Sequence, residues 1–138
     1  MAEYTPYPVQ VITPEGTAFT GDAQIVVVPG DAGQLGILAN HAPLISSLKP
    51  GETHLTDAEG REHRFATGNG YIQVRKNEAL VLVGEAVPRE EIDSGAARAR
   101  LDQARAALEQ ANAGQGDVFR AEREVAFSEA LVRVSEGE

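Results

Sequence analysis

The chain contains no cysteine and no tryptophan, one methionine, four Phe and three Tyr in 138 residues. Without cysteine there is no disulfide framework, no thiolate metal site and no thiol nucleophile. With so few rings, a stacking platform for sugars is poorly supplied. Positive charge is also in deficit: 12 Lys and Arg face 21 Asp and Glu, for a formal net charge of −9. A polyanion is repelled by that balance, which excludes nucleic acid and disfavours anionic lipid headgroups, and a protein partner is the better expectation. No apolar run is long enough to span a bilayer. The opening MAEYTPYPVQ has no basic stretch followed by an apolar one, so a secretory signal is not expected.

What is present divides into two halves with different periods. Apolar residues alternate in YPVQVI (Tyr7, Val9, Val11), and AQIVVVPG is a β-branched run closed by Pro-Gly. Further short strands are expected at Ile37–Leu38, Leu44–Leu48, Glu52–Thr56, Glu62–Ala66, Tyr71–Arg75 and Leu80–Val83. Turn signals separate them: TPEG, PGDAG, KPGE, DAEG, TGNG and RKNE. Many short strands without an intervening helix predict an antiparallel sandwich or barrel. From Pro88 onward the pattern is helical. Pro88 with Glu90 and Glu91 suits a helix start, the break NAGQG supplies a C-terminal glycine, and Asp117 is placed to cap a second helix. So short a connection makes the two helices antiparallel neighbours. The expected division is 1–87 and 88–138.

The helices share a narrow seam of small residues: Ala97, Leu101, Ala104, Leu108 and Ala111 against Val118, Ala121, Val125, Ser128 and Val132. Each large side chain absent from such a seam forgoes about 1.5–3 kcal/mol of transfer energy, so a weakly held hairpin that opens is expected.

Candidate chemistry is sparse. Gly30, Gly33 and Gly36 in GDAGQLG do not have dinucleotide-loop spacing, and no Lys-Ser/Thr follows to make a phosphate loop; they read as turn formers. If DAEG closes a hairpin, His54 and His63 face each other across it, but no third metal ligand is near. His41, followed by Ala42 and Pro43, reads as a buried bend and has no assignable nucleophile or orienting carboxylate. No acid/base pair stands out among the carboxylates, so catalysis by this chain alone is not expected.

The segments VVVPGDAGQLGILANHAPLISSLKPG and FATGNGYIQVRKNEALVLVGEA, followed by a helical hairpin, resemble the epsilon subunit of bacterial F-type ATP synthase over nearly the whole chain. The resemblance implies an N-terminal β-sandwich of about ten strands carrying a C-terminal antiparallel helical hairpin. It also implies a non-catalytic central-stalk subunit, peripheral on the cytoplasmic face of the bacterial plasma membrane. Such a subunit binds the gamma subunit and the c-ring and so couples proton transport to ATP synthesis. In bacterial members the helices can extend toward the alpha and beta subunits and inhibit ATP hydrolysis.

Carried over residue by residue, Gly33, Gln34 and Leu35 match the c-ring-facing turn, where many members carry a carboxylate at the place of Gln34. His41, Pro43 and Leu44 fall in the gamma-contact region. Arg120, Arg123 and Arg133 are the candidates for an acidic segment of the beta subunit, diluted by Glu122, Glu124 and Glu129. Some members bind regulatory ATP through I/L-D-x-x-R-A at the start of the first helix. Here Ile92 and Asp93 match in register and Ala96 replaces the arginine; LDQARA, with Arg105, satisfies the letters nine residues later. No cofactor is required by the residues themselves. The competing readings are an ATP-binding sensor domain and a free-standing sandwich that binds a small ligand, the latter weakened by the scarcity of rings.

Overall fold

The computed structural model describes residues 4–137. Nine strands precede two helices among the described residues: β1 (Tyr7–Thr13), β2 (Gly16–Gly30), β3 (Gly33–Ile37), β4 (Leu44–Leu48), β5 (Gly51–Asp57), β6 (Glu62–Thr67), β7 (Gly70–Arg75), β8 (Glu78–Val83), β9 (Ala86–Pro88), α1 (Ser94–Asn112) and α2 (Val118–Ser135). The hydrogen-bonded order is β1-β8-β7-β4-β2-β5-β6-β9, with β3 on β2 and β1 returning to β2. The β1–β8 pairing is parallel and the others are antiparallel. The expected sandwich is therefore present, with one parallel seam inside it.

Alternation decides which side chains enter the core. Tyr7, Val9 and Val11 are buried while Pro8 and Gln10 are exposed. Val26 and Val28 of β2, Leu55 of β5, Phe65 of β6, Ile72 and Val74 of β7 and Val81 and Val83 of β8 complete the interior. Inside it the Tyr7 hydroxyl donates to the Ile37 carbonyl at 2.5 Å. The Thr53 and Thr67 hydroxyls meet at 2.9 Å, and Thr67 also donates to the Gly51 carbonyl. A buried polar atom must be paired, so these contacts fix β1 on β3 and β5 on β6. Gly70 has a steric reason: a Cβ there would stand 1.9 Å from the Leu82 carbonyl oxygen.

Several expectations shift. The strand expected at Ile37–Leu38 runs instead from Gly33 to Ile37, and the first half of β2 (Gly16–Gly21), which shows no alternation, was not expected as strand. Pro88 does not open the first helix. Residues Arg89–Glu91 form a single 3₁₀ turn, and α1 begins at Ser94, with Asp93 accepting the Gly95 and Ala96 N–H groups. The caps at the other break are as expected: Gly114 takes φ 92°, and Asp117 accepts from the Arg120 N–H.

The hairpin is folded against the sandwich, α2 lying on β5 and β6. The small-residue seam joins α1 to α2, with Ala97, Leu101, Ala104 and Ala111 of α1 and Ser128 of α2 buried. That seam is only part of the packing. A second face of α2, Phe127, Ala130, Leu131 and Val134, packs with Ala66 of β6 and Ala97 of α1. Strand β6 is accordingly covered on both sides, Phe65 by the sandwich core and Ala66 by the helices.

Tyr7→Phe keeps the ring but deletes the donor to Ile37. We expect it to lower unfolding free energy by about 0.5–1.5 kcal/mol, the usual net worth of one such bond. Urea denaturation monitored by circular dichroism measures this, and an unchanged midpoint would show the bond to be dispensable.

Candidate docking face and helical hairpin

The three histidines do not assemble. Thr56 pairs with Glu62, so five residues, 57–61, separate the last paired positions of β5 and β6, one more than DAEG supplies. Asp57 shapes this connection by accepting the N–H groups of Glu59 and Arg61 through Oδ1. The register moves by one, and a one-residue shift sends a side chain to the opposite face. His54 stands opposite Arg64 and His63 opposite Leu55, so the expected cross-strand histidine pair is absent. His63 Nε2 is 2.9 Å from Asp57 Oδ2, with its ring edge-on to Phe19. His41 is exposed, not buried, and its Nδ1 lies 2.7 Å from the Ala42 carbonyl oxygen. Among the described residues no cluster of three His, Cys, Asp or Glu is arranged to hold a metal ion.

The outer face of the β1-β8-β7-β4 layer is unusual for a solvated surface. Cross-strand partners share a face, and the register aligns Ser47 with Tyr71, Tyr71 with Leu82, Gln73 with Ile45 and Leu80. Leu82 in turn aligns with Ile12, and Leu80 with Gln10. The outward set therefore includes Ile12, Ile45, Tyr71, Leu80 and Leu82, with Ile45 71% and Tyr71 45% exposed. Apolar surface of this kind makes the face a candidate interaction site. At one end Ile12, Tyr71 and Leu82 line a shallow cleft of about 430 Å³. At the other a cleft of about 670 Å³ is rimmed by Gln10, Asp22, Gln73, Arg75, Lys76 and Glu78.

His41 and Pro43 lie exposed on the loop entering β4, and Leu44 is half-buried against the core, next to Ile45. The loop is held to the β7–β8 turn by the Asn40 N–H, which donates to Asn77 Oδ1 at 2.7 Å. Gly33, Gln34 and Leu35 are strand rather than turn: Gln34 pairs with Pro29, Leu35 with Val28, and Gly30 with Gly33. The tip of this hairpin is Asp31–Ala32, so an exposed carboxylate stands close to the neutral Gln34.

On the hairpin Arg120, Arg123 and Arg133 are exposed and make no ion pair among the described residues. Arg120 and Arg133 are separated by roughly 20 Å of helix, so they do not form one cluster. Arg133 instead borders a crevice of about 580 Å³ shared with Gln34, Lys49 and Glu52. Ile92 packs against the helix–sheet cluster, the Asp93 carboxylate is engaged in the α1 cap, and Arg105 faces Glu129 at 3.7 Å. Asp93 and Arg105 are roughly 18 Å apart along α1 and are not brought together.

Two groups of residues escaped the sequence reading. One is the outer face, although ALVLV (Ala79–Val83) carries a signal: a continuous apolar run implies a strand covered on both faces. The other is Arg100, whose partners Glu85 and Glu124 come from distant parts of the chain.

A small β-sandwich with an apolar outer face and a folded C-terminal helical hairpin is the class of protein this fold defines. The profile of the ATP synthase delta/epsilon chain β-sandwich domain matches residues 7–89. The ATP synthase epsilon chain of Desulfitobacterium hafniense (strain Y51) is 36% identical over 129 residues, 94% of each chain. That of Dichelobacter nodosus is 38% identical over 89 residues, 64% of this chain and 62% of the relative's own length. In fold, a chain of the Euglena gracilis mitochondrial ATP synthase, solved with OSCP, F1 and c-ring, superposes with a TM-score of 0.74 at 21% identity, covering 89% of this chain and 77% of that one. The chain belongs to the epsilon-chain family of ATP synthase, whose members are non-catalytic subunits.

The Asp57 carboxylate is held below the ordinary aspartate range, first by the His63 hydrogen bond, against the opposing effect of burial, with the Arg61 and Glu59 amides adding to the lowering. A depressed native pKa stabilises the fold fully above the ordinary value of about 3.9 and loses that contribution as pH falls through the lower native value. Urea melts between about pH 5 and pH 2 should therefore show stability falling with acid, less steeply in Asp57→Asn. Equal slopes in the two proteins would contradict the assignment.

Proposed function

We propose that this chain is the central-stalk rotor subunit of a bacterial F-type ATP synthase, peripheral on the cytoplasmic face of the plasma membrane. In this reading residues 1–87 dock on the gamma subunit and the c-ring, so that proton transport turns the parts that drive ATP synthesis. Residues 88–138 form the regulatory part, which checks ATP hydrolysis when its helices reach the alpha and beta subunits. The observation that carries the reading is the apolar outer face centred on Ile45 and Tyr71, in a chain of this family. We assign that face, with His41, Pro43 and Leu44 at its margin, to the gamma subunit.

The c-ring contact falls to the β2–β3 hairpin, through Gly33, Gln34 and Leu35 and the adjacent tip. Asp31 at that tip supplies a negative charge beside the neutral Gln34. Arg120, Arg123 and Arg133, which make no ion pair among the described residues, are available to an acidic segment of the beta subunit.

Two measurements test the reading. Capture of the gamma subunit should fall about tenfold or more in the Ile45→Asp, Tyr71→Asp double variant, since central apolar anchors dominate such interfaces. Undiminished capture would move the docking site elsewhere, and no capture by the unmodified chain would remove the rotor assignment. ATP hydrolysis by the assembled complex should rise when the chain is truncated after residue 87; an unchanged rate would leave the helices without an inhibitory role.

A further inference from the structure

One side chain joins three parts of the molecule. Arg100, on α1, donates from Nε to Glu124 Oε2 at 2.6 Å and from a terminal nitrogen to Glu124 Oε1 at 3.1 Å, a two-point grip on α2. Its guanidinium also lies 3.6 Å from Glu85 Oε1, in the loop between β8 and β9. The Arg100 guanidinium carbon stands 4.9 Å from the centroid of the Phe127 ring. Phe127 is in turn 3% exposed, within the cluster that seats α2 on β6. Glu85 belongs firmly to the sandwich, because its carbonyl accepts the Gly68 N–H at 2.9 Å. Glu124 is positioned from its own helix by the Ser128 hydroxyl at 3.1 Å.

We propose that Arg100 is the clasp that holds the helical hairpin down on the sandwich. Among the described residues, Arg100–Glu85 is the sole ion pair that links a helix to a strand layer; the other helix pairs, Arg98–Glu136 and Arg105–Glu129, tie helix to helix. The apolar seat beneath α2 is thin, since three of its six buried members, Ala66, Ala97 and Ala130, are alanines. A polar clasp over a thin apolar seat suits an element that must be held and also let go. Arginine is the residue for the role: its planar fork matches a carboxylate at two points and its face covers a ring, neither of which an ammonium reproduces. It stays charged throughout the physiological range, so the clasp responds to competing charge and ionic strength and not to its own titration.

Amide hydrogen exchange on the full chain tests the clasp, with the strands as internal reference. In Arg100→Met we expect Ser94–Asn112 and Val118–Ser135 to exchange about three- to tenfold faster, the range for a partly exposed two-point pair with a cation–π contact. The strands should keep their protection. Glu124→Gln and Glu85→Gln should act in the same direction with smaller effect, and Arg100→Lys should fall between Arg100→Met and the unmodified chain. About 1 M salt should also speed helix exchange in the unmodified chain and do little in Arg100→Met.

Unchanged helix exchange in Arg100→Met overturns the proposal. If that variant loses strand protection as well, Glu85→Gln decides, because Glu85 is half-exposed: helices exchanging at the unmodified rate overturn the clasp, and faster helices over protected strands establish it. The consequence for the enzyme rests on the regulatory reading given above. Faster helix exchange with unaltered hydrolysis by the assembled complex would keep the clasp and remove the inhibitory role; unaltered exchange removes the clasp whatever the hydrolysis rate.

Discussion

The fifteen-residue strand Gly16–Gly30 hydrogen-bonds to four others, and the rest of the structure hangs on it. Its first half closes against β1, its later residues carry β3 and β5, and its last residue, Gly30, meets β4. A strand that long must bend to serve two layers. The bend is absorbed where the register slips, opposite Val11–Ile12 and again between Ala23 and Ile25. Because β2 is shared, the two layers cannot slide independently. The outer face on β1-β8-β7-β4 and the hairpin seat on β5 and β6 are thereby joined through one shared strand.

That arrangement gives the chain two surfaces of different character. The outer face is apolar at its centre and polar at one end, which suits a permanent contact with another protein. The hairpin seat combines a small apolar cluster with ion pairs in which the charges remain partly in water, and such pairs contribute modestly. Under the proposed function, the outer face would serve the lasting contact and the hairpin seat the conditional one. The arginines fall into two groups accordingly. Among the described residues, Arg98, Arg100 and Arg105 are engaged in ion pairs in the folded state, while Arg120, Arg123 and Arg133 are not.

Some features were legible because they depend on neighbours in the chain. Tyr7, Val9 and Val11 alternate, so their burial follows from the two-residue period of a strand. Asp117 caps α2 because a short acceptor beside a helix start satisfies free N–H groups locally. Other features were misread for equally physical reasons. Asp57 binds its own loop, lengthens the β5–β6 connection by one residue and so parts His54 from His63. Gln34 looked like a turn residue, yet the two-residue tip Asp31–Ala32 makes the turn and returns Gln34 to the sheet. Asp93, rather than Pro88, starts the long helix, because Val87 and Pro88 pair with β6 first.

The sequence by itself determined the division into a strand-rich part and a helical hairpin, the caps at the break between the two helices, most of the strands and the absence of thiol chemistry. Through its motifs it also pointed to the family. Those properties are set by composition and by interactions within a few residues. Only the tertiary structure decided which residues form the apolar outer face, and that the hairpin lies folded on β5 and β6 with Arg100 across Glu85, Glu124 and Phe127. Those features join residues from distant segments, and their alignment depends on strand register and helix rotation, which no local pattern specifies.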